Sequence, residues 1–155
     1  MKVSVYIQVP SRLTQSNQLE SFKVKVLIVD DHETVRKGVC AILTSHFQPE
    51  ICEEVANGQE AIIKALALQP DLILLHINMP VMNGFAAARE LKKLLPHVPI
   101  LFLTMHSGDS FVSAARRVGV QGFVSKDHAG EVLVDAVKAV LDKETFFPPY
   151  AAVRA

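Results

Sequence analysis

From Lys23 onward the chain alternates short apolar runs with helical patterns, and this alternation limits its fold more than any other feature. A short apolar run between polar segments is typical of a buried strand, whereas apolar residues three and four positions apart predict a helix. Strands that alternate with helices in this way favour a parallel sheet covered on both faces. We therefore expect an α/β, doubly wound domain.

The individual elements follow from these patterns. The predicted strands are Val24–Val29, Ile51–Val55, Leu72–Leu75, Ile100–Leu103 and Gly122–Val124. The predicted helices lie at about Thr34–Ser45, Gly58–Leu68, Phe85–Leu95, Asp109–Val118 and Gly130–Leu141. Gly119 stands where the C-terminal cap of the fourth helix is expected.

The length of 155 residues, half of them hydrophobic, suits one compact domain. Residues 1–22 show no sustained period, and we interpret them as an N-terminal extension. Residues 23–147 form the predicted domain. Two prolines end the last helical pattern, so residues 148–155 are interpreted as a tail or the start of a linker.

Composition argues against several classes of function. Lys and Arg number 16, as do Asp and Glu, so no net field draws the chain to nucleic acid or to an anionic membrane. The chain has neither an apolar run long enough to span a bilayer nor a signal peptide, and we expect a cytoplasmic protein. Cys40 and Cys52 are interpreted as small core residues.

Polar residues follow four of the five predicted strands. Ligands of an open parallel sheet bind beyond the carboxyl ends of its strands, so these residues are candidates for one site. Paired carboxylates suit Mg²⁺, while a lysine and a threonine suit an anion. Taken singly, each also fits a helix cap, a turn or a solvated charge. The candidates are Asp30, Asp31, His76, Thr104 and Lys126.

The chain contains neither GxGxxG nor GxxxxGK[ST], which argues against a nucleotide-binding domain. Its own motifs, in chain order, are VLIVDDH at 26–32, PDLILLHINMPVMNG at 70–84, LTMH at 103–106 and GVQGFVSKD at 119–127. Through them the segment from Lys23 to Phe147 resembles the receiver domains of two-component response regulators. It is most similar to receivers that precede a LuxR-type helix-turn-helix.

This resemblance implies a flavodoxin-like fold with strand order 2-1-3-4-5. It implies that Asp30, Asp31 and the backbone carbonyl of Asn78 bind Mg²⁺. Thr104 and Lys126 would bind a phosphoryl group received from a histidine kinase. Phe123 would be the aromatic residue that reports phosphorylation to the face formed by the fourth helix, fifth strand and fifth helix.

Position 76 departs from the family, because histidine stands where the acceptor aspartate belongs. Imidazole supplies neither the carboxylate nucleophile nor a hard ligand for Mg²⁺, so we expect Mg²⁺ binding to be weak or absent. Three interpretations of His76 remain open. It is a structural residue hydrogen-bonded to the acidic pair, a ligand of a softer metal, or an unusual phosphoryl acceptor.

Phe123 is a second departure, because it lacks the hydroxyl with which a tyrosine makes a hydrogen bond on turning inward. It fits ordinary core packing equally well.

Our leading hypothesis is a non-enzymatic, phosphorylation-independent module that dimerises or binds a partner in bacterial transcriptional control, the DNA-binding domain lying outside this chain. Spare apolar surface at Val132, Val134 and Leu141 suggests a homodimer. A second hypothesis keeps phosphoryl transfer with an unusual acceptor or metal. A third is a small enzyme with Asp30 as nucleophile.

Overall fold

The computed structural model describes residues 24–47, 49–105 and 108–148. Its strands are β1 (Val24–Val29), β2 (Pro49–Val55), β3 (Leu72–Leu75), β4 (Ile100–Thr104) and β5 (Gly122–Ser125). They form one parallel sheet in the order β2-β1-β3-β4-β5. The predicted fold and strand order are confirmed. The interpretation of residues 1–22, and of the tail from residue 149, falls outside the described ranges.

Each predicted helix is present. The helices are α1 (Glu33–His46), α2 (Gly58–Leu68), α3 (Gly84–Leu94), α4 (Asp109–Val118) and α5 (Ala129–Leu141), with a 3₁₀ helix (Lys126–His128) before α5. Gly119 caps α4 at a positive φ of 94°, as its position predicts. Strand β2 begins at Pro49, earlier than predicted, because Pro49 pairs with Val24 of β1. A proline is tolerated there because it is the first residue of the strand. Within the described ranges, no helix is long and apolar enough to cross a bilayer.

The sheet separates two apolar clusters. Val26 and Ile28 face a cluster shared with α1 and α5, while Leu27 and Val29 face a cluster shared with α2, α3 and α4. This alternation follows from the two-residue period of a strand. Because both faces are covered, the four residues of β3 are all buried.

Helix α5 packs more completely than its sequence suggests. Val132 is fully buried, and both Val134 and Leu141 pack half-buried against the α1 and α5 cluster. Little of the spare apolar surface that we expected on this helix therefore remains. Cys40 and Cys52 also pack against this cluster, and burial, followed by the neighbouring Cys40 thiol, raises the pKa of Cys52 to about 12.

After α5 the chain returns along the outer edge of β5. The backbone N–H of Phe123 donates to the carbonyl of Phe146 at 2.8 Å, and the N–H of Phe146 donates to Gln121 at 3.0 Å. The Arg116 guanidinium lies 4.0 Å from the centre of the Phe147 ring. These contacts cover part of the sheet edge that β5 would otherwise expose.

Candidate functional site

The carboxyl ends of the strands meet at one edge of the sheet, and Asp30 lies at its centre. Asp30 follows β1 directly and is 3% exposed. Its Oδ1 accepts a hydrogen bond from the backbone N–H of His32 at 2.9 Å and lies 3.0 Å from the Nδ1 of the same residue. Its Oδ2 accepts a hydrogen bond from Lys126 Nζ at 2.7 Å. Both oxygens of this buried carboxylate are thus engaged.

The charge state of Asp30 is set by these contacts. Burial by itself raises the pKa of Asp30, because a buried carboxylate loses its hydration. Together, the hydrogen bonds from Lys126 and from the His32 backbone and the electrostatic effects of His76 and Lys126 outweigh burial. The net result is a pKa below the ordinary value, so Asp30 is ionised at neutral pH.

Lys126 begins the 3₁₀ helix after β5, and its side chain is 11% exposed. Its ammonium group points back across the sheet edge to Asp30 and not into solvent. Because this lysine is deeply placed and paired with a carboxylate, it does not fit the interpretation as a solvated surface charge. In this structure the ammonium therefore contributes the positive charge nearest the Asp30 carboxylate.

His76 follows β3 and is 5% exposed. Its Nδ1 lies 3.3 Å from the Leu103 carbonyl oxygen and 3.9 Å from Asp30 Oδ2. The second distance is too long for a hydrogen bond, so the expected hydrogen bond to the acidic pair is not formed. Asp30 Oδ2 instead accepts the shorter hydrogen bond from Lys126.

The protonation of His76 follows from its surroundings. Burial lowers its pKa most, Lys126 lowers it further, and Asp30 opposes both without reversing them. The ring is therefore neutral at pH 7. Because a carbonyl oxygen only accepts, Nδ1 carries the proton toward Leu103 and Nε2 keeps its lone pair.

His32 is the site residue that the sequence reasoning missed. Its Nδ1 lies 3.0 Å from Asp30 Oδ1 and 3.2 Å from Asp31 Oδ1. One ligand atom from each of Asp30, Asp31, His32 and His76 lies within 4.8 Å of the others. The available signal was its place directly after the acidic pair, where the chain turns from β1 into α1 as the N-cap residue.

The remaining predicted residues lie around this cluster. Thr104 is fully buried at the end of β4, opposite Ser125 in the register of β5. Asn78 is exposed in the loop after β3. Phe123 is fully buried, with its ring centre 6.4 Å from that of Phe102 in an edge-to-face arrangement. The structure thus gathers Asp30, Asp31, His76 and Lys126, and places Thr104 and Asn78 at the neighbouring strand ends.

The loop between β3 and α3 is held close to His76. Asn83 caps α3, because its side chain accepts from the N–H of Ala86 at 2.9 Å. Gly84 donates its N–H to Ile77 at 2.7 Å, and a Cβ at Gly84 would overlap the His76 carbonyl oxygen. The Asn-Gly pair therefore brings the start of α3 against the backbone of the site.

Comparison with known proteins agrees with this fold. Residues 26–138 match the family model described as the response regulator receiver domain. The chain belongs to this receiver family. It is 39% identical over 131 residues to the response regulator protein VraR of Staphylococcus aureus, and that alignment covers 84% of this chain and 63% of VraR. The chain thus spans less than two thirds of the length of these relatives.

Solved structures show the same fold. A two-component response regulator of the LuxR family from Aurantimonas sp. SI85-9A1 superposes with a TM-score of 0.78 at 28% identity, covering 84% of this chain and 93% of that one. The isolated receiver domain of RcsB from Salmonella enterica serovar Typhimurium gives 0.75 at 24% identity, covering 82% and 94%. The first likeness places the chain near the receivers of LuxR-family regulators, and the second shows the fold alone.

The residues at this edge do not fit the Mg²⁺ ion that the family implies. Mg²⁺ prefers oxygen ligands in octahedral geometry, and one family carboxylate is replaced here by the His76 imidazole. A second imidazole, that of His32, lies against the acidic pair. The Lys126 ammonium also lies 2.7 Å from Asp30 Oδ2, where it repels a cation.

Proposed function

We propose that this chain is the receiver domain of a bacterial transcriptional regulator and that it acts without phosphorylation, through dimerisation or contact with a partner. The observation that carries the proposal is a buried, neutral imidazole at the acceptor position. The likeness to LuxR-family receivers supports a role in transcription, carried out by a DNA-binding domain outside this chain.

The chemistry of position 76 supports the loss of phosphorylation. Receivers form an acyl phosphate on a carboxylate, and His76 has none. Asp30 does not replace it, since His32 and Lys126 engage both its oxygens. Lys126 is itself held by Asp30, so binding a phosphoryl group would require this buried ion pair to break.

The environment of Phe123 supports a fixed conformation. Its ring is fully buried against Phe102, whose ring centre lies 5.2 Å from that of Phe85. Packing alone therefore holds Phe123 inward, and no hydroxyl is present to respond to a phosphoryl group at Thr104. We infer that the face formed by α4, β5 and α5 keeps one shape.

That face is the surface through which we propose a homodimer or a partner complex. The chain segment after α5 adds to it, because Phe146 pairs with the edge of β5 and Phe147 lies against Arg116 of α4. A histidine kinase is a partner by family resemblance only. In this proposal its docking does not lead to phosphoryl transfer.

Incubation with acetyl phosphate and Mg²⁺, followed by intact mass spectrometry, tests the proposal. We expect no gain of a phosphoryl group on the wild-type chain, and a gain of one on His76→Asp. The second candidate function is a phosphorylated histidine, favoured by the lone pair that Nε2 of His76 retains. A phosphoryl group mapped to His76 would support that function and contradict our proposal.

A further inference from the structure

We propose that Asp30, Asp31, His32 and His76 bind one divalent transition-metal ion of the Zn²⁺ or Ni²⁺ class at the sheet edge where the family binds Mg²⁺. The proposal starts from the composition of the cluster: two carboxylates and two imidazoles, with one ligand atom of each within 4.8 Å of the others. Imidazole nitrogen suits Zn²⁺ and Ni²⁺, whereas Mg²⁺ selects oxygen ligands.

The buried half of the cluster is already organised for this chemistry. Among the residues that the structure describes, Nε2 of His76 has no hydrogen-bond partner, although the side chain is only 6% exposed. Its other nitrogen faces the Leu103 carbonyl at 3.3 Å. A metal-bound histidine commonly donates its second N–H to a backbone carbonyl, which sets the tautomer and leaves the lone pair on the other nitrogen.

The exposed half of the cluster can adjust to an ion. Bonds of about 2.0–2.2 Å put the ligand atoms of a tetrahedral Zn²⁺ site about 3.3–3.6 Å apart. The distances from His32 Nδ1 to Asp30 Oδ1 and to Asp31 Oδ1, 3.0 and 3.2 Å, already approach this spacing. The His32 side chain is 62% exposed and that of Asp31 28%, so both can move toward the more deeply buried Asp30 and His76.

Lys126 is the internal competitor of the ion. Its ammonium lies 2.7 Å from Asp30 Oδ2 and repels a second cation at this carboxylate. A bound metal ion would therefore weaken or replace this contact. Lys126 and the metal ion compete for the Asp30 carboxylate. Lys126 therefore lowers the affinity of the site for the ion and supplies no ligand.

Zn²⁺ titration of the full chain, freed of metal by a chelator, tests the site by isothermal calorimetry. We expect one Zn²⁺ per chain and Mg²⁺ binding at least about tenfold weaker. His32→Asn and His76→Asn should each weaken Zn²⁺ binding by about tenfold or more, because even partners outside the ligand shell contribute this much. Lys126→Met should strengthen it by about tenfold.

His97→Asn is the matched control, because His97 is exposed and lies outside the cluster. Its affinity for Zn²⁺ should equal that of the wild type. Circular dichroism of each metal-free variant checks that the fold is kept. Unchanged Zn²⁺ binding in folded His32→Asn and His76→Asn, or an equal loss in His97→Asn, would overturn the proposal. The titration measures neither phosphorylation nor self-association, so its outcome is separate from that of the proposed function.

Discussion

A single side chain at position 76 changes the balance of charge at the carboxyl edge of the sheet. With an imidazole there, Asp30 finds its strongest partner in Lys126, and the buried pair is neutral overall. His76 is itself neutral, because burial lowers its pKa more than Asp30 raises it. The site therefore holds less negative charge than the aspartate of the family would give it.

His76→Asp should restore both Mg²⁺ binding and phosphorylation. The new carboxylate supplies the nucleophile and one hard ligand, while Asp30, Asp31, Thr104 and Lys126 remain in place. Acetyl phosphate with Mg²⁺ should then add one phosphoryl group, detected by intact mass. Hydroxylamine should remove it, as expected for an acyl phosphate. If the folded variant stays unmodified, the family roles assigned to Thr104 and Lys126 must be withdrawn.

The metal-free protein should lose stability in two steps as the pH falls. The pKa of His76 is lowered in the fold, so its contribution is complete above its ordinary pKa of 6.5 and declines below it, as the unfolded chain takes up a proton. Asp30 also has a lowered pKa, and its contribution declines only below its ordinary value of 3.8. Denaturant unfolding at a series of pH values, with a chelator present, measures both steps.

His76→Asn separates these two contributions. It should remove the decline that begins near pH 6.5 and keep the one below pH 3.8, because asparagine does not titrate. An unchanged first step in this variant would assign that step to another histidine.

Two contacts between secondary-structure elements and nearby segments position the site and the face formed by α4, β5 and α5. The start of α3 lies against the backbone of His76, where Gly84 leaves no room for a side chain. At the other end of the sheet, the segment after α5 lies along β5 and contributes Phe147 to a cation–π contact with Arg116. Both contacts join segments that are distant in the chain.

Gly84→Ala should lower the free energy of unfolding by about 1–3 kcal/mol, since the added Cβ overlaps the His76 carbonyl oxygen and the loop must shift. Gly38→Ala is the matched control. Gly38 lies exposed in α1 with no atom near an added Cβ, so alanine should raise stability by about 0.5–1 kcal/mol. Urea denaturation compares the two variants. A neutral Gly84→Ala would show that the loop is not closely packed against His76.

Phe147→Ala should loosen the segment after α5. The lost cation–π contact contributes about 0.5–1 kcal/mol at an exposed site. The Phe123 amide, which donates to Phe146 at 2.8 Å, should therefore exchange its hydrogen faster. Hydrogen exchange followed by NMR measures this amide, and the amides of β3 serve as internal controls. Equal exchange of the Phe123 amide in both proteins would mean that the Phe147 side chain does not hold the segment.

For the whole molecule, the prediction is self-association that does not depend on a phosphodonor. Sedimentation velocity should show dimers at high protein concentration, with or without acetyl phosphate. Arg116→Glu reverses a charge on α4 within the proposed face and should weaken the dimer by about tenfold. Lys64→Glu, on α2 outside the proposed face, is the control and should leave association unchanged. A chain that stays monomeric at high concentration would contradict the proposed dimer.

The pattern of apolar and turn residues predicted the five strands, the five helices and the edge at which the polar residues meet. Hydrophobic period and turn residues are local, and carboxyl ends of parallel strands share one edge, so these features can be read from the chain. Which groups pair at that edge became visible only in the folded chain. Lys126 reaches Asp30 across 96 positions, His76 turns to the Leu103 carbonyl, and His32 joins the acidic pair. These pairings depend on how deeply each side chain is buried and on whether its polar atoms come within a few ångströms of a partner. Neither property can be read from a local sequence pattern.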